Sequence, residues 1–432
     1  MKRTCFLLSL LTGCAGPAAG LVPSQPLSEL PASSLTMRSL GESGIDFAAA
    51  SPDLRGNARE GFVFPKCAAV ERLDVRGGAT IVSLKSDDPQ LRVVPTATEN
   101  RFALEPVGIP DGNSVARLTA TAGSQRATVD VRVDGTICGK FTEYLIPTAK
   151  SGPISIAVGS DKALWFTESA TDKIGRLTTT GVFSETAVAA KSKPFGLAAG
   201  PDGNLWFTEP AANKIGRITT SKAVKLFGIP TAGSSPNFIA AGTDKRSIWF
   251  TEGCGNNLGR IDTTAQSLNE YAIPTSGSGA YGISSGPNGL MFFTEYYGNK
   301  IGWVPQGGGT VKDKPLSNTP GPLGITSIGS NVWFTDNVYN AIGVLTASTT
   351  GYFPTKTQTS APNVIAAGPD GALWFTEGNV GKIGRITNSP TSPTMTEYKI
   401  PTANSGPFGI ATGPDGSIWF TESYTGKIGR IQ

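Results

Sequence analysis

The sequence contains no histidine. Histidine is the side chain whose unperturbed pKa lies nearest neutral pH, and it is the commonest general acid or base and the commonest metal ligand. Its absence excludes every catalytic triad that contains histidine and every metal site with a histidine ligand. The chain also lacks a run of about 20 apolar residues, which is the length that a membrane-spanning helix needs.

Charge is scarce as well. Only 16% of the residues are charged and the formal net charge is +4. The basic residues do not form a long run. We therefore predict no nucleic-acid partner. Glycine and proline are abundant (54 and 31 residues), and with so little charge they favour an exported all-β protein.

The N-terminus has the order of a secretory signal, with a short basic region at Met1–Arg3 and an apolar stretch from Cys5 to Leu11. The segment Leu11–Cys14 resembles the bacterial lipobox, in which the cysteine is acylated. We predict a lipoprotein signal peptide over residues 1–14 and a lipid anchor on Cys14. The protein would then be an exported cell-envelope lipoprotein, in the outer membrane or periplasm if the cell is Gram-negative. The alternative is ordinary cleavage near Ala18–Gly20.

Two segments follow before the main repeat. Residues 15–58 are rich in Ser, Pro, Ala and Gly, and we predict a flexible tether.

Residues 59–138 hold short strand candidates, of which 127–133 alternates apolar and polar residues. This segment resembles a small bacterial Ig-like β-sandwich. Cys67 and Cys138 bracket it and are predicted to form a disulfide, with two buried free thiols as the alternative, and Cys254 is left over.

The remaining chain repeats about every 42 residues. Each copy contains four strand candidates, which is the content of one propeller blade. The sequence therefore predicts a seven-bladed β-propeller over residues 139–432. The aromatic residue that opens the Trp-Phe-Thr-Glu run, or its variant, stands at Trp165, Trp206, Trp249, Phe292, Trp333, Trp374 and Trp419.

Both ends of the repeat region predict how the ring closes. The last copy stops after its third strand, at Gln432. Residues 141–147 precede the first copy and match the fourth strand of the sixth copy, residues 395–401. We predict that residues 141–147 pair with the last blade, which removes an exposed edge.

The charged residues of the repeat recur in almost every copy. A glutamate or aspartate ends the second strand, a lysine begins the third and faces it across the hairpin, and an arginine follows. Because catalysis needs one unique geometry, we interpret these groups as structural, and the Gly-Pro-Asp-Gly segments as turns. The acids are Glu168, Glu209, Glu252, Glu295, Asp336, Glu377 and Glu422.

Function is expected where the copies differ, at the mouth of the channel where the first strands begin. The variable loops there carry Cys254, Tyr296, Tyr297, Asn337, Tyr339 and Tyr424. Copies three to five also lose scaffold residues, since Asn257 and Ala341 replace lysine and Trp303 and Val344 replace arginine. Either the binding site lies nearer to blades 3 to 5, or these replacements are neutral losses of charged pairs that the repeat contains in excess. We predict a binding site formed by Phe195, Asn237, Tyr281, Tyr296, Asn363 and Phe408.

The repeated Pro-Asp-Gly-x-Leu-Trp-Phe-Thr-Glu, Lys-Ile-Gly-Arg-Ile and Thr-Glu-Tyr-x-Ile-Pro segments resemble the virginiamycin B lyases. The resemblance implies a seven-bladed propeller and a magnesium-assisted elimination that linearises streptogramin B antibiotics. The family's catalytic histidines follow the proline that opens the first strand, and its catalytic glutamates flank the same mouth. Of these site residues, only the tyrosine at Tyr281 has a match here. The histidine positions hold Ile154, Phe195, Asn237, Tyr281, Leu323, Asn363 and Phe408.

We therefore predict a non-catalytic relative of these lyases, with no catalytic residue, metal site or cofactor. It would be a monomer that binds a glycan, peptide or protein at the propeller mouth. Whether the chain is an enzyme stays open. The alternative is a diverged lyase that still uses magnesium, or a hydrolase that uses Glu, Asp or Tyr, such as Glu295 beside Tyr296.

Overall fold

The computed structural model describes residues 45–49, 55–57, 61–65, 71–77, 83–86, 91–95, 101–106, 115–122, 125–134 and 139–432, apart from 265 and 318–320. These residues form β-strands and one short 3-10 turn at Pro287–Gly289. They belong to two compact units, one of which holds Phe141–Ile431. No described helix is long and apolar enough to cross a membrane.

The N-terminal unit contains nine strands in two sheets. One sheet has the order first, fourth, seventh, sixth, and the other has second, third, ninth, eighth, fifth. The third and ninth strands pair in parallel and the other neighbours are antiparallel. In chain order the strands are Ile45–Ala49, Arg55–Asn57, Gly61–Pro65, Glu71–Gly77, Ser83–Ser86, Leu91–Pro95, Arg101–Pro106, Val115–Ala122 and Gln125–Asp134.

The first two of these strands lie within residues 15–58, the stretch that composition predicts to be a tether. The alternating segment 127–133 lies inside the last strand, Gln125–Asp134. The Ig-like class of this unit stays a prediction. The signal peptide, Cys14, Cys67 and Cys138 lie outside the described residues. Cys254 is disulfide-bonded, so the expectation that it remains unpaired is wrong.

The second unit contains seven four-stranded antiparallel sheets. Each sheet is one blade, and its strands are numbered first to fourth in the order of pairing. The first strands of successive blades are neighbours around the ring, so they surround the central channel. The all-β, seven-bladed propeller is confirmed.

The blade boundaries follow the repeat. Blade 1 contains Pro153–Val158, Leu164–Glu168, Lys173–Leu177 and Phe183–Ala187. Blade 2 contains Leu197–Ala199, Leu205–Glu209, Lys214–Ile218 and Val224–Gly228. Blade 3 contains Pro236–Ala241, Ser247–Glu252, Asn257–Asp262 and Leu268–Ala272. Blade 4 contains Ala280–Ser285, Leu290–Glu295, Lys300–Pro305 and Lys312–Pro315.

Blade 5 contains Pro322–Ile328, Asn331–Asp336, Ala341–Leu345 and Thr350–Pro354. Blade 6 contains Pro362–Ala367, Leu373–Glu377, Lys382–Ile386 and Met395–Lys399. Blade 7 contains Pro407–Thr412, Ile418–Glu422, Lys427–Ile431 and, as its fourth strand, Phe141–Leu145.

The ring closes as the repeat predicts. Phe141–Leu145 pairs antiparallel with Lys427–Ile431, and the Tyr144 ring stacks on Trp419 with centroids 5.5 Å apart. An N-terminal strand thus completes the C-terminal blade, and the last sheet presents no unfilled fourth position.

The second strand of each blade is buried on both faces, which explains its unbroken apolar run. In blade 2, Trp206 packs against Ile239 of blade 3, while Phe207 packs against Trp165 of blade 1. The Phe207 ring lies over Gly216 of the third strand, where a Cβ would come within 2.1 Å of it. Glycine is needed there because the ring occupies the space of any side chain. Burying one such phenylalanine contributes about 1.5–3 kcal/mol.

Candidate functional site at the propeller mouth

Seven side chains, one from each blade and each at or just before the start of the first strand, converge at the mouth of the channel. We call this set the plug. Phe238 of blade 3 and Phe408 of blade 7 stack across the ring with centroids 6.4 Å apart, and Phe195 contacts both. Contacts between blades so far apart show that the side chains meet on the channel axis. The plug consists of Ile154, Phe195, Phe238, Tyr281, Leu323, Val364 and Phe408.

Three of the predicted site residues belong to the plug. Phe195, Tyr281 and Phe408 are brought together as expected, but they are only 6%, 9% and 7% exposed. Burial raises the pKa of the Tyr281 phenol, with smaller contributions from Tyr296 and Tyr297. A buried neutral phenol among apolar rings is a packing element, so this part of the mouth offers little open surface.

The two predicted asparagines connect neighbouring blades. The Asn237 amide donates to the Ala280 carbonyl at 2.8 Å, and the Asn363 amide donates to the Pro407 carbonyl at 3.1 Å. Each acceptor belongs to the next blade. In both blades the following residue enters the plug instead, which is why the positions of Phe238 and Val364 were missed from the sequence.

The sixth predicted residue, Tyr296, lies beside the plug and is half-buried. Its ring meets Tyr297 edge-on at 5.2 Å. A Cβ on Gly321 would lie 2.5 Å from Val338 Cγ2 and 2.9 Å from Tyr296 Cε2, so these two side chains converge over that glycine. We call these three side chains, Tyr296, Tyr297 and Val338, together with the next residue in the chain, Tyr339, the blade 4–5 rim.

Among the described residues, the blade 4–5 rim holds three of the four large exposed hydrophobic side chains in the loops that join the second and third strands. Tyr297, Val338 and Tyr339 are 56%, 56% and 53% exposed. Asn337 precedes Val338 in the same loop. Its amide donates to the Asn363 side chain of blade 6 at 3.1 Å and so holds the base of the loop in place. Clustered exposed aromatic and apolar side chains are typical of interaction sites.

The seven repeated acids do not reach the mouth surface. All are 0% exposed, and they are distributed one to a blade. The predicted register is confirmed, with Glu168 opposite Lys173 across the hairpin. The ion pair is different, however, because Lys173 Nζ lies 3.2 Å from Glu185 of the fourth strand. The sequence pattern identified the neighbours in the hairpin but not the partner one strand farther out.

The aspartate of each regular turn has structural partners. In blade 6, Asp370 accepts the Trp374 indole N–H at 3.1 Å and the Arg385 Nε–H at 2.7 Å. The guanidinium carbon also lies 5.9 Å from the centroid of the Trp374 ring. Because both oxygens of this carboxylate are engaged within the blade, the turn is scaffold. Blades 1, 2 and 7 hold the same set of aspartate, tryptophan and arginine.

The comparisons with known proteins agree with this architecture. A sequence profile described as the virginiamycin B lyase family matches residues 106–320 and 309–432. The chain belongs to the virginiamycin B lyase family.

Solved structures of lyases show how far the likeness extends. A streptogramin B lyase shares 33% identity over 68% of this chain and 97% of its own, with a TM-score of 0.63. The virginiamycin B lyase of Staphylococcus aureus shares 34% identity over 68% and 99%, with the same TM-score. A catalytically inactive histidine-to-alanine variant of that lyase, solved with quinupristin, gives the same values.

The mouth of this family member does not fit the magnesium ion that the family resemblance implies. Magnesium takes oxygen ligands, usually with one or two carboxylates among them. The plug contributes apolar side chains and one buried phenol. Within the described part of the chain, no three His, Cys, Asp or Glu residues are grouped so as to hold a metal.

Proposed function

We propose that this member of the virginiamycin B lyase family is a non-catalytic binding protein that takes its ligand on the blade 4–5 rim. One observation supports it above the others: five of the seven positions at which the family resemblance implies histidine contribute side chains to the plug, and the other two, Asn237 and Asn363, bond to carbonyls of the next blade. In the Staphylococcus aureus relative, replacing a histidine gives a protein described as catalytically inactive. Here the whole chain has none.

The magnitude of the loss supports the same proposal. Removing one general base typically costs about 10²–10⁴-fold in rate. The buried acids cannot substitute for it at the mouth, since Glu295, the acid beside Tyr296, is 0% exposed. Burial raises the pKa of Glu295 to about 7, but a group without access to solvent or ligand has no substrate to act on.

The chemistry of the rim indicates the ligand. Tyrosine presents a flat apolar face and a polar hydroxyl at low cost in conformational entropy, so it suits sugar rings, peptide planes and apolar side chains. A glycan, a peptide or a protein loop therefore fits the rim. We propose that the protein is an exported lipoprotein that carries this surface in the cell envelope, anchored through lipid on Cys14.

A lyase assay tests the non-catalytic half of the proposal. The full chain is incubated with magnesium and virginiamycin S, and chromatography follows the linear isomer. We expect no product above the protein-free control. Product that disappears in the Tyr281→Phe variant would establish the alternative, a diverged lyase.

Binding is tested on glycan and peptide arrays, with calorimetry on the hits. A Tyr297→Ser/Tyr339→Ser double variant should weaken binding at least tenfold. Tyr424→Ser is the matched control, because Tyr424 occupies the equivalent loop of blade 7 and is 50% exposed. Equal loss of binding in both variants, or none in the first, would contradict a site on the blade 4–5 rim.

A further inference from the structure

Five blades place two carboxyl groups side by side inside the protein. The inner acid ends the second strand and is fully buried, and the outer acid comes from the fourth strand. They meet over the glycine of the third strand. In blade 1, Gly175 lies opposite Glu185, and a Cβ on Gly175 would lie 2.8 Å from Glu168 Oε1. The pairs are Glu168 with Glu185, Glu252 with Glu270, Glu295 with Asp313, Glu377 with Glu397, and Glu422 with Glu143.

The two members of a pair have unequal partners. In blade 6 the outer Glu397 accepts the backbone N–H of Thr357 at 2.9 Å, its hydroxyl at 2.5 Å and the Lys382 ammonium at 2.8 Å. Neither carboxyl oxygen of the inner Glu377 has a hydrogen-bond partner at this geometry. In this blade the outer acid is therefore held as a carboxylate, while the inner acid lacks the donors that a buried charge requires. In blades 1 and 7 the inner acid accepts a single hydroxyl hydrogen bond, from Thr171 to Glu168 at 3.3 Å and from Thr425 to Glu422 at 3.0 Å.

The charge count points the same way. Two carboxylates and one lysine would leave a net negative charge at a site whose inner acid is fully buried, and two like charges in one site cannot both ionise easily. In blade 3 even the lysine is missing, since Asn257 takes its place and donates to Glu252 at 3.4 Å. A proton on the inner acid removes the excess charge and supplies a donor for the outer carboxylate.

We propose that each of these five pairs holds one proton at neutral pH, shared between the inner and outer acid, and that the propeller is consequently most stable in mildly acidic solution and weakens as the pairs lose their protons. The inference concerns the scaffold, so it is independent of the proposed function. It assigns a role to the repeated glutamates beyond that of hairpin partners.

The surroundings of the inner acids support the proposal. Burial, and then the neighbouring outer acid, raise the pKa of Glu168, Glu252 and Glu422 to about 8. Burial is also the largest cause that raises the pKa of Glu295 and Glu377 to about 7. Each inner acid also has other polar neighbours. These are Thr171 and Lys173 for Glu168, Asn257 for Glu252, Thr275 and Lys300 for Glu295, Ser360 and Lys382 for Glu377, and Thr425 and Lys427 for Glu422.

Stability then depends on pH in one direction. An acid whose pKa is higher in the folded state than in the unfolded chain binds more protons when folded. Unfolding at neutral pH releases those protons, so stability falls as the pH rises from the unfolded value of 4.5 through about 8. The reverse slope would mean that the inner acids are ionised.

Calorimetry of the full chain measures the protons directly. Unfolding in two buffers of different ionisation enthalpy at pH 7 should release roughly five protons, one from each pair, and the melting temperature should fall steadily between pH 6 and pH 9. Infrared spectra of the folded protein at pH 7 should show the carbonyl band of protonated carboxyl groups. A flat melting profile, or the absence of that band, would overturn the proposal even if unfolding is irreversible.

Variants separate proton sharing from burial alone. Glu168→Gln should reduce the released protons by about one, because glutamine mimics the protonated acid. Glu185→Gln should do the same, because Glu168 can then ionise against Lys173. If Glu185→Gln left proton release unchanged, burial by itself would hold the proton and sharing would be wrong.

Blade 2 supplies a control within the chain. Its inner acid, Glu209, has Leu226 in the position of the outer acid, opposite Gly216. Burial raises the pKa of Glu209, and its polar neighbours are Ser192, Lys214 and Asp172. Both oxygens of Glu209 lack a hydrogen-bond partner, as those of Glu377 do, so burial acts on Glu209 without an outer acid. Replacing Leu226 with glutamate should therefore raise the pH at which the Glu209 carboxyl band disappears, and an unchanged pH would count against the sharing mechanism.

Discussion

Blade 6 and blade 4 have the same four-stranded arrangement, but different side chains stabilise it in each. Blade 6 joins its turn, second and third strands through Asp370, Trp374 and Arg385. Blade 4 has Asn288 in the turn, Phe292 in place of the tryptophan and Trp303 in place of the arginine. The Phe292 and Trp303 rings contact each other with centroids 6.4 Å apart.

The comparison indicates that the three replacements depend on one another. A phenylalanine has no indole N–H to satisfy, so the aspartate is no longer needed as an acceptor, and without the aspartate a buried arginine would lack its partner. An aromatic pair substitutes for a polar network of the same size. The deviating blades thus remain well packed, while their loops carry the exposed tyrosines.

The largest effect is expected from removing the aromatic residue of the second strand. Trp374→Ala should destabilise the propeller by about 3–5 kcal/mol, because it opens a cavity and leaves the Asp370 carboxylate without its indole hydrogen-bond donor. Phe292→Ala should cost at least about 1 kcal/mol less, since no charged group loses a partner. Denaturant unfolding followed by tryptophan fluorescence and circular dichroism measures both, and equal losses would break the distinction between the two blades.

A reciprocal exchange in the turns is the next test. Asp370→Asn should cost about 1–3 kcal/mol, because Arg385 is left without a carboxylate in a mostly buried position. Asn288→Asp should change stability by no more than about 0.5 kcal/mol, since the residue is exposed and faces no arginine. If both exchanges had the same effect, the turn aspartate would not be the centre of the regular set.

Acid pH should weaken the turn of blade 1 before that of blade 4. The pKa of Asp161 is lowered, because hydrogen bonds from Trp165 and Arg176 outweigh the opposing effect of burial. A lowered pKa contributes stability that is lost as the pH falls through 3.8 and below, the opposite direction to the inner glutamates. Asp161→Asn should flatten the melting profile between pH 5 and pH 3, whereas Asn288→Asp should leave that slope unchanged.

The smallest effect on stability is expected at the rim of the deviating blades. Tyr297→Ser and Tyr339→Ser should each change the free energy of unfolding by no more than about 0.5 kcal/mol, because both side chains are mainly in solvent. Thermal unfolding checks this. A larger loss would show that the tyrosines support the fold, and it would weaken the assignment of the blade 4–5 rim to binding.

The sequence determined the propeller because each blade is a local unit with its own signature. Turn residues, an apolar run and a Lys-Ile-Gly-Arg segment fix a hairpin within a few residues, and the match between residues 141–147 and 395–401 predicted the closing strand. The same local reasoning brought Phe195, Tyr281 and Phe408 to one place, because equivalent positions on a ring of blades must meet at the centre.

Only the tertiary structure decided what those positions do. Whether a residue fills the channel or bonds to the next blade depends on the groups around it: Asn237 donates to a carbonyl of the next blade, and the residue after it, Phe238, packs into the plug. The partner of Lys173 was likewise set by packing across three strands and not by the hairpin. Local spacing specifies neighbours along the chain, whereas the burial of Glu168 and its raised pKa depend on which distant groups exclude water from it.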